Sequence, residues 1–141
     1  MAAKLENITR VVDEQQKEIK STNLSNANSN LKTQLTNLER ETNELLVRAE
    51  VKKSSWDKEM VAEQKALRTD LTQKFEDARL SAKLDRVYAQ EMAYQTEIMI
   101  NELEVIGKRT PGQAFKDYSK SAIDNLKPIN EAFANFDESK D

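Results

Sequence analysis

The sequence predicts an all-α protein, built from elongated coiled-coil helices with a C-terminal helical hairpin. Its 141 residues include only two Gly and two Pro, while 33% are charged and 6% are aromatic. Residues with high helix propensity recur along almost the whole chain. This composition is typical of a long helix that buries one apolar seam and exposes its other faces to water. A mean hydropathy of −0.79 is also compatible with disorder. The net charge is only −3 and the apolar residues are periodic, which favours folded helices.

Residues 1–20 predict an N-terminal amphipathic helix. The 3-4 spacing of a coiled-coil seam is followed by Leu5, Ile8, Val12 and Ile19. Because so few heptads are too short to be stable alone, we expect this helix to pack against a partner.

Residues 21–30 read STNLSNANSN and predict a hinge rich in Ser and Asn. These side chains compete for backbone hydrogen bonds and favour caps and turns. The seam before the segment puts its next a position at Asn26, whereas the seam after it requires Asn28. Coiled coils absorb insertions of three or four residues, and this offset is two. We therefore favour a break capped by Ser25 or Ser29 over a continuous helix with Asn28 buried in the seam.

No Gly or Pro occurs in residues 31–106, so the sequence predicts one long coiled-coil helix over this range, with a length of roughly 110 Å. Ser54 and Asp57 stand at capping-box spacing and mark a second weak point. We favour a helix that passes through them, because no Gly or Pro is present. The predicted helix-interface residues of the whole N-terminal region are Leu5, Ile8, Val12, Ile19, Leu24, Leu31, Leu35, Leu38, Leu45, Trp56, Met60, Leu67, Leu71 and Phe75.

The segment IGKRTPGQ holds both glycines and the first proline, and it predicts a sharp turn over residues 107–112. Gly107 is placed to end the long helix as a C′ residue. Thr110, Pro111 and Gln113 have the N-cap, N1 and N3 pattern of a capping box that starts the next helix.

Residues 113–137 predict a C-terminal helix, or a kinked helix pair if Pro128 interrupts it. Residues 84–106 are apolar over a wider arc than one seam, so they require a neighbour. Since a short connection makes its flanking helices antiparallel neighbours, we expect 113–137 to fold back on 84–106. The residues predicted to pack this C-terminal head are Leu84, Tyr88, Ile98, Leu103, Phe115, Tyr118, Leu126, Phe133 and Phe136.

The chain contains no His and no Cys, so imidazole bases, thiol nucleophiles and the usual zinc sites cannot be built from it. The acidic cluster Glu97, Glu102 and Glu104 lacks the His of a di-iron motif, and an exposed acidic face is the simpler interpretation. We therefore expect no catalytic residues, no metal and no cofactor.

The acidic pI of about 5.2 argues against direct binding of nucleic acid. A membrane surface is a minor alternative, suggested only by basic residues on the C-terminal helix. No apolar run approaches the length of a transmembrane helix, and the N-terminal MAAKLENITR lacks the apolar core of a signal peptide. These features predict an intracellular, cytoplasmic protein, with the nucleus as an alternative location.

The charges beside the Leu heptad indicate the kind of partner. A parallel homodimer would pair Gln34 with Glu39 and Glu41 with Leu46, and neither is an ion pair. This favours a heteromeric coiled coil, an antiparallel pairing or a higher-order bundle over a parallel homodimer, and a heteromer is preferred. The sequence thus predicts a non-catalytic structural or scaffold subunit of a larger complex, for example in cytoskeletal, ciliary, kinetochore or trafficking machinery. The alternatives are a self-assembling filament or spacer protein, and an adaptor that presents a helix to several clients.

Overall fold

A computed structural model describes residues 1–138, and in that range it contains five α-helices, one short 3₁₀ helix and no β-strand. The helices are α1 (Ala2–Gln16), α2 (Thr22–Arg48), α3 (Lys58–Leu80), α4 (Leu84–Arg109) and α5 (Gln113–Ala134), and the 3₁₀ helix (Lys53–Ser55) lies between α2 and α3. The all-α prediction is confirmed.

The helices associate as a bundle whose main contacts form a closed circuit. Helix α1 packs against α2 and α3, α2 against α5, α5 against α4, and α4 against α3. The spatial order is therefore α1–α2–α5–α4–α3, and the α4–α5 interface is the most extensive. The elongated coiled coil expected from the heptads is not confirmed, because the seam residues face other helices of the same chain.

The first break in the chain lies earlier than the predicted hinge at 21–30. Helix α2 runs through that segment from Thr22 onward, and its N-cap is Ser21, whose side chain accepts a hydrogen bond of 3.1 Å from the Leu24 N–H. Neither Ser25 nor Ser29 is a cap. The phase shift correctly indicated a break, since the two seams belong to two different helices, α1 and α2. The polar composition of residues 21–30 led to the wrong position, because the break lies before that segment.

The predicted single helix over 31–106 is interrupted twice, so that prediction is wrong. Helix α2 ends at Arg48 and α3 begins after Asp57, whose carboxylate accepts hydrogen bonds from the N–H groups of Glu59 and Met60, at 2.8 and 3.3 Å. The weak point at Ser54 and Asp57 is thus a true helix start.

The second interruption is a turn at residues 81–83, between α3 and α4. Each of the two breaks contains a non-glycine residue with a φ of 58°, Glu50 in the first and Ala82 in the second. Because the chain reverses without glycine or proline, the absence of those residues did not imply a continuous helix.

The turn before α5 also differs from its prediction. Helix α4 continues through Gly107 to Arg109, and the N-cap of α5 is Gly112, which has a φ of 110°. The capping box of Thr110, Pro111 and Gln113 does not form, because Gln113 is the first residue of α5 and its amide donates to Asp117 at 2.8 Å.

Gly107 has a packing role instead of a terminating one. A Cβ at this position would lie 2.8 Å from Ser119 Oγ, which itself donates a hydrogen bond to the Leu103 carbonyl. Glycine thus permits the close approach of α4 and α5.

Helix α5 packs along α4, as predicted, and remains one helix across Pro128 rather than a kinked pair. Pro128 removes the backbone hydrogen bond to the Asp124 carbonyl. Both residues are exposed, so water can hydrate that carbonyl.

Asn130 also holds α5 against α4. Its amide donates hydrogen bonds to the Ala93 carbonyl at 2.8 Å and to Thr96 Oγ1 at 2.9 Å.

A buried polar network fixes α1 against α2 and α4. Asn28, which has no exposed surface, donates to the Val12 carbonyl at 3.1 Å and to Gln16 Oε1 at 2.9 Å, and it accepts a hydrogen bond from the Tyr88 hydroxyl. Gln16 in turn donates to Ser25 Oγ at 2.8 Å. Since each partner is lost if α1 shifts along its axis, the network sets the register of α1 in the bundle.

Candidate interaction surface

Most residues predicted to form an interface are part of the chain's own core. From the helix-interface prediction, the buried residues are Leu5, Ile8, Val12, Leu24, Leu31, Leu35, Leu38, Leu71 and Phe75, and those from the C-terminal head are Leu84, Tyr88, Leu103, Tyr118, Leu126 and Phe133. The half-buried ones are Ile19, Leu45, Trp56, Leu67, Ile98, Phe115 and Phe136, and Met60 is exposed. Candidate binding residues must therefore be sought among the second group.

One end of the α3–α4 pair is closed by aromatic side chains. The ring of Tyr88 lies 4.9 Å from that of Phe75 and 6.2 Å from that of Phe133, measured between centroids. All three residues are buried. These tilted ring contacts fill the space between α3 and α4 at this end, which we call the closed end. A cavity of about 440 Å³ lies outside the rings, where Arg79, Ala82 and Asp85 are among its lining residues.

At the other end of the pair, the first turn of α1 contacts both helices. Ala3 and Leu5 are buried there, and Lys4 Nζ donates to Glu102 Oε1 of α4 at 3.3 Å. Helix α1 also packs along α3. Because α1 occupies this space, α3 and α4 do not seal against each other as they do at the closed end. We call this the open end.

A groove of about 510 Å³ lies at the open end between α3 and α4, and we call it the α3–α4 groove. Three helices and the residue before α1 line it: Met1, then Ala3 and Lys4 of α1, Met60 and Gln64 of α3, and Ile98, Asn101, Glu102, Val105 and Ile106 of α4.

Two of the lining residues are exposed apolar side chains, Met60 at 40% and Val105 at 46%. In residues 1–138, no donor reaches Gln64 Oε1, although this oxygen is shielded from water. The groove is thus mainly apolar, although the ion pair of Lys4 and Glu102 also lines it and Gln64 has an unsatisfied acceptor.

A second groove, of about 760 Å³, runs between α1 and α2 and reaches Val51 and Trp56 in the connection to α3. Five of the seven charged residues that line it form ion pairs with one another. Lys32 lies 2.5 Å from Asp13, and Glu6 accepts from Lys53 at 3.0 Å. Because these charges are paired within the chain, they attract a charged partner to the α1–α2 groove only weakly.

A smaller apolar chamber of about 280 Å³ joins the two grooves. It shares Met1, Met60 and Ile106 with the α3–α4 groove, and Val51 and Trp56 with the α1–α2 groove. The three cavities therefore form one continuous surface around the first turn of α1, which we call the open-end surface.

Two buried tyrosines are held as neutral hydroxyls, Tyr88 at the closed end and Tyr118 beside the smaller chamber. Burial raises the pKa of Tyr88 well above its usual value, and the hydrogen bond to Asn28 opposes this only in part. Burial also raises the pKa of Tyr118, which shares a hydrogen bond of 2.6 Å with Thr42 Oγ1. Both hydroxyls are thus protonated at neutral pH and form hydrogen bonds within the bundle.

The described residues show no grouping of three or more acidic, His or Cys side chains that could hold a metal ion. Within the predicted acidic cluster, Glu102 pairs with Lys4, whereas Glu97 and Glu104 are exposed on α4.

The sequence pattern identified some of the open-end surface. Met60, Ile98 and Trp56 belong to the predicted interface sets. Gln64 was missed, because a single Gln on a charged helix gives no signal until its neighbours are known.

The chain matches no protein-family model, no curated protein and no solved structure. Within residues 1–138, no helix combines the length and the apolar character needed to cross a lipid bilayer.

Proposed function

We propose that this protein is a non-catalytic structural subunit that joins a larger complex by packing a helix of another protein onto its open-end surface. The observation that carries the proposal is the exposure of apolar side chains where α3 and α4 separate, above all Met60 and Val105. Apolar residues clustered around adjoining grooves are typical of interaction sites on soluble domains.

In this proposal the partner binds the open-end surface and not the predicted coiled-coil seam. Partner binding through Leu31, Leu35 and Leu38 would require the bundle to open, since all three are buried. The residues at the open end can be contacted while the fold stays intact, at much lower cost in free energy.

A second feature supports the same surface. Val47, in the last turn of α2, is 75% exposed and lines the α1–α2 groove. Val51 follows in the connection and is 40% exposed. These residues extend the apolar area on the other side of the α1 first turn, which gives a partner helix a wide contact.

Site-specific photo-crosslinking tests the proposal. Val105 is replaced by a photoreactive phenylalanine derivative in the cells that express the protein, and the matched control carries the same group at Lys120, an exposed position on α5. We expect a discrete adduct with one other protein from position 105 and none from position 120. Equal labelling from both positions, or no adduct from 105, would contradict the proposal. An adduct between two copies of the chain would favour the self-assembling alternative.

A further inference from the structure

We infer that the smaller apolar chamber of the open-end surface is a binding site for a free, uncharged aromatic molecule of about two fused rings that carries a hydrogen-bond acceptor. The site goes beyond the proposed packing of a partner helix and does not depend on it. Residues of all five helices line the chamber, among them Ala2, Leu45, Met60, Ile106 and Phe115. The fold of the bundle therefore forms the chamber before any ligand arrives.

The volume of the chamber sets the size of the ligand. It measures about 280 Å³, close to the lower end of the range of about 300–1,000 Å³ that is usual for ligand pockets. An apolar cavity of about 150 Å³ accommodates one benzene ring, so the chamber has room for about two fused rings. Because the chamber joins the two grooves, a ligand can enter it without opening the bundle.

No charged side chain lines the chamber in the part of the chain that the structure describes. The α3–α4 groove, in contrast, is lined by Lys4 and Glu102, and the α1–α2 groove is lined by seven charged residues. The amino group of Met1, a residue that lines the chamber, interacts with Glu102 of the α3–α4 groove. Because a wall without charges does not compensate the desolvation of an ion, the chamber selects an uncharged ligand.

Three aromatic side chains in the wall favour an aromatic ligand. Trp56, Phe115 and Tyr118 all line the chamber, and aromatic rings attract one another in tilted or offset contact. Trp56 is positioned by Lys53, whose Nζ lies 5.7 Å from the centroid of the Trp56 ring and 3.0 Å from Glu6 Oε1 of α1. These contacts connect the aromatic wall to α1 in the free protein.

A pair of hydroxyl groups in the wall specifies the polar group of the ligand. Thr33 and Thr36 of α2 each donate to the backbone carbonyl four residues earlier. The Thr42 hydroxyl instead shares a hydrogen bond of 2.6 Å with the Tyr118 hydroxyl, and both residues line the chamber. Two hydroxyls carry two protons, and their mutual bond uses one. Within residues 1–138 neither hydroxyl makes another hydrogen bond, so one O–H remains to donate to an acceptor on the ligand.

Titration of the full chain with quinoline, followed by NMR, tests the site. Quinoline has two fused aromatic rings and an acceptor nitrogen, and it is uncharged at about pH 8. The matched ions are N-methylquinolinium, a cation without the acceptor, and 2-naphthoate, an anion of similar size. Trp56 is the single tryptophan of the chain, so one indole N–H signal reports on the chamber. We expect quinoline to shift this signal, and to bind about tenfold more tightly than either ion.

A substitution that fills the chamber tests the location. Thr110 lines the chamber but neither groove, and it lies in the turn between α4 and α5. Thr110→Phe places a ring in the space that the ligand would occupy, and it should abolish quinoline binding. The matched control is Ser81→Phe, at an exposed residue of the turn between α3 and α4, which should leave binding unchanged.

Removal of the hydroxyl pair tests the chemistry. The double variant Thr42→Val/Tyr118→Phe keeps the shape of the wall, lacks both hydroxyls, and should weaken quinoline binding about tenfold. The control Thr33→Val removes an exposed hydroxyl of the same helix and should have no effect. Circular dichroism verifies that each variant remains folded.

Three outcomes would overturn the inference. They are equal affinity for quinoline and either ion, unchanged binding in Thr110→Phe, and shifts that are confined to one of the grooves. A helical peptide that contains Trp and shifts the Trp56 signal, where free quinoline does not, would assign the chamber to a side chain of a partner and would also overturn the small-molecule site. Because all these measurements use the isolated chain, the photo-crosslinking test from Val105 remains a separate test of the interaction function.

Discussion

The two ends of the α3–α4 pair show how one pair of helices can be a sealed core at one end and a surface at the other. At the closed end, Phe75 and Tyr88 fill the space between the helices with aromatic rings. At the open end, the first turn of α1 occupies that space, and Met60 and Val105 remain exposed. The difference lies in what separates the helices, since both ends carry apolar residues at helical spacing.

The largest expected effect concerns the closed end. Phe75→Ala removes a fully buried ring and should lower the free energy of unfolding by about 3–5 kcal/mol. The matched substitution at the open end, Met60→Ala, should lower it by about 1 kcal/mol or less, because that side chain is 40% exposed. Urea denaturation followed by circular dichroism measures both. Similar losses for the two variants would mean that the ends do not differ in packing.

The next effect tests whether close packing extends to α4 and α5. Gly107→Ala places a methyl group 2.8 Å from Ser119 Oγ, and the resulting strain should cost about 1–3 kcal/mol of stability. The double variant Gly107→Ala/Ser119→Ala removes the clashing oxygen and should recover part of the loss. If the double variant were the less stable of the two, the clash would not explain the effect.

Alkaline pH tests the burial of Tyr88 and Tyr118. The folded state raises the pKa of Tyr88 and Tyr118, so the unfolded chain loses these protons first. Their contribution to stability is complete below about pH 10 and decreases above it, by about 1.4 kcal/mol for each group per pH unit.

Thermal denaturation between pH 9 and 11 should therefore show a shallower loss for Tyr118→Phe than for the parent chain. Tyr94→Phe, at a residue that is 60% exposed, serves as the control and should follow the parent. An unchanged slope in Tyr118→Phe would contradict the assignment of the slope to this hydroxyl.

The smallest effect is a gain in stability at the open end. Gln64→Leu removes a shielded oxygen that lacks a donor within the described residues, and it should raise the free energy of unfolding by up to about 1 kcal/mol. Differential scanning calorimetry would register this as a higher Tm. Gln64→Glu is the opposite control, since it adds a charge at the same position and should lower the Tm.

Much of the core was predictable from periodicity. Leu31, Leu35 and Leu38 repeat at 3-4 spacing and are all buried, and the fold-back of α5 on α4 followed from the short connection between them. Periodicity identifies the apolar face of each helix, but it does not say which other helix that face meets. The heptads therefore predicted a partner chain where the structure has α1 and α5.

The breaks were less predictable for a local reason. Glu50 and Ala82 adopt positive φ without being glycine. Each ends its helix in a Schellman motif, in which the Val51 N–H donates to the Leu46 carbonyl at 2.9 Å and the Lys83 N–H to the Ala78 carbonyl at 2.8 Å. Gly107 was predicted to end α4, but the helix continues through it. Its role is to allow the close approach of Ser119 on α5, which local sequence does not reveal. The open-end surface could be predicted only in part, because Gln64 becomes a candidate only when α1, α3 and α4 are in place.

The closed circuit of helix contacts also has a consequence for the order in which the protein folds. Helix α2 packs against α5, and Thr42 and Tyr118 join them across 76 positions of sequence. During synthesis the α2 face that α5 will cover therefore stays accessible until α5 leaves the ribosome. Closing so long a loop costs chain entropy before any contact compensates for it. The bundle is therefore expected to acquire its final stability late, when α5 completes the circuit, and nascent chains that stop short of α5 are the ones most exposed to aggregation and to chaperones.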